Sequence, residues 1–179
     1  MKMGNKECCK VALIAIVCFM YSFVASAQIE RNILGFTLGS TTKSQVVASV
    51  KSNNISYSYG FRDSYSTKAR DEDTKISLYN VQYKGYTWDI CVLEFINDKL
   101  GYISMWSNTR SAWSRFKELT KSFGEKYYFY NAMYSDYRTY FNDGGMYLEV
   151  SYQPLSIKED MISITFSDIK LFRQKKRNP

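Results

Sequence analysis

The chain has 179 residues, a formal net charge of +7, four cysteines and no histidine. The missing imidazole excludes Ser-His-Asp and Cys-His catalysis, HExxH zinc sites and ordinary histidine general-base chemistry. No GxSxG, P-loop or GxGxxG motif occurs either, which removes the usual nucleophile-elbow and nucleotide signatures.

The first residues read MKMGNKECCKVALIAIVCFMYSFVASAQIE, with Lys2, Lys6 and Lys10 ahead of an apolar run and Ala25-Ser26-Ala27 behind it. That is the layout of a secretory signal peptide over residues 1–27, cut after Ala27. The run, from about Val11 to Val24, falls short of the roughly 18–20 residues that cross a bilayer. Export is therefore expected, to the periplasm or beyond the cell, with no transmembrane span in the mature chain. Lipidation at Cys18 is the competing reading, but Val17 stands where lipid attachment needs a small residue.

Cleavage leaves 152 residues, enough for one core of ordinary size or two small halves sharing one. Cys91 is then the only cysteine, so packing rather than an internal disulfide must hold the fold. Its setting, WDICVLEF, marks it as a buried structural thiol.

The mature chain divides into a first helix-meander unit (28–107) and a second (108–172), followed by a basic tail (173–179). The first unit opens with GFTLGSTTKSQVVASVKSNN, where Thr42 and Gln45 fit a capping box. Val46, Val47 and Val50 give the helix one apolar face, and Asn53-Asn54 end it. ISYSYGF reads as a short strand, and the charged stretch after it as an exposed loop. Three strand-like runs follow, ISLYNVQYK, YTWDICVLEFI and KLGYISMW, with turns at Lys84-Gly85 and Asn97-Asp98-Lys99. In YTWDICVLEFI, strict alternation puts Tyr86, Trp88, Ile90 and Val92 on one face and Thr87, Asp89, Cys91, Leu93 and Phe95 on the other. Both faces carry apolar residues, as in a central strand backed by helices on one side and partly shielded on the other.

The second unit opens with TRSAWSRFKELTKSFGEK. Ala112, Trp113, Phe116, Leu119 and Phe123 recur at helical spacing, and Gly124 suits a C-terminal cap. Strands are expected at KYYFYNA, YRTYFND, GMYLEVSYQ and MISITFSDIKLF, with Asn142-Asp143-Gly144-Gly145 as a hairpin turn. Met146, Leu148 and Val150 alternate with Tyr147, Glu149 and Ser151, as in a half-buried strand. The expected fold class is α+β, with two tandem helix-plus-antiparallel-meander units forming a helix-backed sheet. Lys170, Arg173, Lys175, Lys176 and Arg177 concentrate the positive charge at the end of the chain. A nucleic-acid binder spreads such residues over a folded face, so none is expected as partner. The tail reads as a solubilising terminus, or as a weak attractor of anionic lipid or polysaccharide.

The stretch Gly39-Ser-Thr-Thr-Lys-Ser-Gln45-Val46, entering a helix that meandering strands follow, resembles the start of small envelope domains of the SmpA/OmlA type. The tandem helix-plus-meander plan is similar to the beta-lactamase inhibitor protein fold. These resemblances imply a binding scaffold; the expected partner is an envelope or extracellular protein, or a glycan. The chain differs from the first family in lacking a lipobox cysteine and in ending its first helix with Asn-Asn rather than Gly-x-Pro.

Among acidic residues, Asp89, Glu94 and Glu149 are the candidates for two-carboxylate chemistry. An odd separation places Asp89 and Glu94 on opposite faces, and surface salt bridges are the simpler role. Asp71-Glu72-Asp73 lacks the spacing of a calcium loop and reads as a solvated acidic turn. No metal or cofactor is expected. Tyrosine is the anomaly, with 16 residues. Its flat ring and polar tip suit recognition surfaces, though β-propensity alone also places it in strands. The candidate ligand-binding residues are Tyr57, Tyr59, Tyr128, Tyr130 and Trp88. The leading expectation is a non-enzymatic binding module for a protein or peptide. A glycan-binding accessory protein is the alternative, and a carboxylate-dependent hydrolase the third reading. Mass spectrometry of the protein from its host should find Gln28 at the amino terminus; an intact Met1 or a lipid on Cys18 would refute the export signal as read.

Overall fold

The computed structural model describes residues 28–61, 71–127, 133–134, 137–155 and 159–177. The expected signal peptide, residues 178–179 of the expected tail, and the candidates Tyr128 and Tyr130 lie outside them. The architecture is α+β. A ribbon of β1 (Asn32–Ile33) and β2 (Phe36–Thr37) leads into α1 (Lys43–Ser52). Four strands follow: β3 (Tyr57–Tyr59), β4 (Lys75–Tyr83), β5 (Tyr86–Ile96) and β6 (Lys99–Thr109). Then come α2 (Ala112–Tyr127), β7 (Met133–Tyr134), β8 (Arg138–Asn142), β9 (Met146–Gln153), β10 (Asp160–Asp168) and α3 (Ile169–Arg177).

The strands from β3 onward make one eight-stranded antiparallel sheet in the order β3-β4-β5-β6-β10-β9-β8-β7. Each unit thus contributes a helix and then four strands, and the units meet where β6 pairs with β10. The strand order is symmetric about that seam. Turns set the register locally. Lys84 (φ 52°) with Gly85 (φ 78°), and Asn97 (φ 52°) with Asp98 (φ 58°), form two-residue turns, whose left-handed residues match the twist of the strands they join.

The capping box forms as the sequence indicated. The Thr42 N–H donates to Gln45 Oε1 at 2.8 Å, and the Gln45 N–H to Thr42 Oγ1 at 3.3 Å. Val46 and Val50 of α1 then enter the same core as Ala112, Phe116, Leu119, Phe123 and Tyr127 of α2. Two expectations for α2 fail. Trp113 is not in the apolar stripe; it lies about 100° round the helix from Ala112 and is 41% exposed. Gly124 does not end the helix, which runs on to Tyr127. That ring stacks on Phe123 at 5.9 Å, and its hydroxyl accepts the Glu30 N–H at 3.2 Å. Burying it outweighs the ~1 kcal/mol that an interior glycine costs.

Strict alternation also fails in β4 and β5. Trp88 and Val81 face the core, but so do Cys91, Leu93, Leu78 and Ile76, so parity changes in both strands at one level. Asn80 lies at that level with φ 55°, a left-handed residue that rotates the strand beyond it. Cys91 is wholly buried, and burial pushes its thiol pKa up, as suits a structural residue.

The chain's end departs most from expectation. The strand stops at Asp168, and residues 169–177 form α3 rather than a strand end and a free tail. Asp168 is the cause: its Oδ1 accepts the Leu171 N–H at 3.0 Å as an N-cap. Its Oδ2 receives Arg31 Nη1 at 2.8 Å. Helix α3 crosses the sheet face opposite α1 and α2, touching β5, β6 and β10. Leu171 is buried where α3 meets the sheet, and Gly101 beside it leaves room for Ile96, whose Cδ1 would lie 2.8 Å from a Cβ there. No helix among the described residues is long and apolar enough to cross a membrane.

Phe123 lies at the centre of the helix-backed core, 6.4 Å from both the Phe141 and Phe166 rings. Phe123→Ala should lower unfolding free energy by about 3–5 kcal/mol, the cost of removing a buried ring, as read by urea denaturation.

Candidate functional site

The face opposite the core is built by register. One row across the strands reads Ser77, Val92, Ser104, Thr165, Glu149 and Tyr140. The next reads Lys75, Glu94, Tyr102, Ser167, Tyr147 and Asn142. Trp106 stands in a third row on β6, paired with Ser163 of β10, and the Phe61 ring meets it edge-on at 5.4 Å.

Helix α3 roofs part of this face. Leu171 is buried, while Phe172 stays 41% exposed. At its far end Lys175 pairs with Glu94, which also faces Lys75 at 3.8 Å. Two of the recesses between roof and floor share Tyr102 and Phe172. The smaller, about 360 Å³, is walled by Phe61, Val92, Ile96 and Trp106, with Lys75 and Glu94 at its edge. The larger, about 550 Å³, is walled by Asn142, Tyr147, Glu149, Thr165, Ser167 and Arg173. Both fall within the size range of small-molecule pockets.

The larger recess has its own electrostatics. Burial raises the Glu149 pKa, while the Arg138 guanidinium and a hydrogen bond from Tyr147 pull it back. Burial also raises Tyr147, helped by the Glu149 charge and by Tyr140. The Tyr140 and Tyr147 rings lie 5.6 Å apart at 34°. Between the recesses the floor is self-contained, because the Ser104 and Thr165 hydroxyls bond each other at 2.9 Å.

The residues singled out from sequence fall elsewhere. Trp88 is 0% exposed, and its Nε1–H donates to the Tyr83 carbonyl at 3.1 Å. It is a core residue, so its place among surface rings is corrected; the inward side of β5 changes parity between Trp88 and Cys91. Tyr57 and Tyr59 pair with Leu78 and Ile76, which places them on the helix side of the sheet edge. Tyr57 is half-buried, and Tyr59 is 44% exposed beneath Lys43 Nζ, 5.2 Å from its ring centroid. Among the described residues, Tyr102, Trp106, Tyr140 and Tyr147 stand on the open face, with Tyr79 in the Trp106 row. Alternation in β9 had already set Tyr147 and Glu149 away from the core; nothing local marked Tyr102 as their neighbour.

The acids do not converge. Glu94 and Glu149 stand three strands apart, about 14 Å at ordinary strand spacing, beyond the roughly 5–9.5 Å of glycosidase carboxylate pairs. Asp89 is exposed and accepts the Asn108 N–H at 3.0 Å. In the acidic turn, Asp71 meets Lys75 at 2.6 Å, and the Glu72 and Asp73 carbonyls accept from Lys43 Nζ. Among the described residues, no three acids and thiols cluster as a metal site would require. Comparison with protein-family models, curated proteins and solved structures found no match.

Because the folded-state pKa of Glu149 lies above its ordinary 4.5, the protonated acid is the form that folding prefers. Its contribution is fully present below the ordinary value and is lost as pH rises through the raised one. Glu149→Gln, which mimics the neutral acid, should therefore be more stable than the parent at pH 7. The gain is a fraction of a kcal/mol, since water screens a half-exposed carboxylate. It should vanish below about pH 4.5 in urea titrations at several pH values.

Proposed function

We propose that this chain is a non-enzymatic binding module, exported through its signal-like start, that engages a protein or peptide partner on the open sheet face. The observation that carries this reading is the gathering of Tyr102, Trp106, Tyr140 and Tyr147 on one face, over a floor of serine and threonine hydroxyls. Rings of this kind supply large contact area at low entropic cost, and they dominate the energetics of recognition surfaces. The roof formed by α3 narrows the face to recesses of about 360 and 550 Å³, which favours an inserted segment over a broad flat surface of about 800 Å² per partner. The envelope-domain resemblance at Gly39–Val46 points the same way, toward a scaffold that meets other envelope proteins.

A glycan ligand is the second reading. It draws support from the larger recess, where Asn142, Glu149 and Arg173 stand beside hydroxyls and the exposed Phe172 ring. Planar polar groups beside one aromatic surface are suited to sugar hydroxyls.

Capture of a defined envelope protein from native-host extract, with the purified chain as bait, tests the first reading. Tyr102→Ala and Trp106→Ala should each weaken capture about tenfold, or ~1.4 kcal/mol, as expected for a central ring. A captured partner indifferent to both substitutions would place binding elsewhere on the protein.

A further inference from the structure

We infer that the two recesses beside Tyr102 and Phe172 read two side chains of an extended peptide, an apolar one in the smaller recess and a neutral amide, Asn or Gln, in the larger. This rests on the peptide-binding reading above and adds the sequence that the face would select.

The smaller recess fits an apolar side chain. Val92, Ile96, Phe61 and Trp106 supply its walls. The charges at its edge are spent on each other: Glu94 faces Lys75 at 3.8 Å and also pairs with Lys175. A sugar ring placed there would lose water from hydroxyls that find few partners, which costs free energy for each. That favours a peptide over a glycan as occupant.

The larger recess selects by charge cancellation. A cation drawn to Glu149 would approach Arg173 on the roof and Arg138 on the neighbouring strand. An anion drawn to Arg173 would meet Glu149. A neutral group that both donates and accepts suits both walls, and the side-chain amide has two N–H donors and a carbonyl acceptor. Its N–H groups would donate to Glu149, and its oxygen would accept from Arg173. The Ser167 hydroxyl, which also lines this recess, can rotate to complete the set.

The spacing is also that of a peptide. The smaller recess is centred over β5 and β6 and the larger over β10 and β9, about two strand spacings or ~10 Å apart. In an extended chain, side chains two residues apart leave the backbone ~7 Å apart, and outward splay covers the difference.

Selection of random octapeptides on the purified chain should enrich an apolar residue two positions from Asn or Gln. In a synthetic peptide of that sequence, Asp or Lys in place of the amide should each weaken binding at least tenfold. Glu149→Gln should then recover the Asp peptide at least tenfold, and Arg173→Gln should do the same for the Lys peptide. Thermal melts of both variants should match the parent to within a few degrees. If peptides bind and are lost on Tyr102→Ala, yet show no amide preference or one untouched by either charge variant, the inference falls and the peptide reading stands. If no peptide binds, both fall. Binding to a glycan array that is lost on Glu149→Gln would then install the sugar reading in their place.

Discussion

The pairing of β6 with β10 is the contact on which the rest of the molecule depends. Eight residue pairs, from Asp160 opposite Thr109 to Ser167 opposite Tyr102, join strands that end their respective units. Without it the chain would be two half-sheets, each with an open edge and a helix too short to close a core alone. With it, Ile103 and Met105 of one unit lie beside Ile162, Ile164 and Phe166 of the other, all wholly buried. The helices on that side then cover one continuous apolar surface. Antiparallel pairing of this length also fixes register, because a slip by one residue would turn every core side chain toward solvent.

The same register composes the opposite face. Tyr102 is a neighbour of Tyr147 only through Ser167, and Ser104 of Glu149 only through Thr165. Small residues on β10 keep the floor low between the rings, which leaves depth beneath α3. The roof is set by a cap and by packing. Asp168 caps the helix and holds Arg31, and Leu171 is buried against the sheet. A nine-residue helix is marginal by itself, so these contacts decide whether the face is roofed at all. The segment from Ile29 to Arg31 adds ties of the same kind. The Ile29 N–H reaches Asp143, Glu30 faces Lys84 and Lys126 near 3.9 Å and 3.8 Å, and Arg31 holds Asp168. In a chain whose only described cysteine is buried and unpaired, these polar ties fasten the segment before β1 to the sheet.

Local chemistry made much of this legible in advance. The Thr42–Gln45 box, the apolar stripe of α2 and the Asp-Gly turn each depend on residues a few positions apart, and each forms. What was misread depends on distant contacts or on one unusual dihedral. Asn80 turns left-handed inside a strand, and no period-two pattern anticipates the inward turn of Trp88. Gly124 looks like a helix end until Tyr127 finds the core. Ile169 to Phe172 continue the apolar character of β10, so the Asp168 cap was hidden in a run that resembled strand. For the open face, β9 alone separated Tyr147 and Glu149 from the core. The partnership with Tyr102 and Phe172 required the central seam and the roof, which join residues far apart in the chain.

That division explains why tyrosine count alone did not mark the open face. Rings enter strands for packing as readily as for recognition, and Tyr57, Tyr127 and Tyr152 all pack against the core or its edge. Context separates the two uses. Tyr127 gives its hydroxyl to a backbone N–H and stacks on Phe123, which leaves little for a ligand. Tyr102 and Tyr147 instead border empty volume, beside a carboxylate whose charge burial disfavours. A fold that only needed a stable sheet would gain from replacing Glu149 by a neutral residue. Keeping a half-buried acid opposite Arg173, in a recess large enough to admit a side chain, is a cost that folding alone does not require and that recognition would justify.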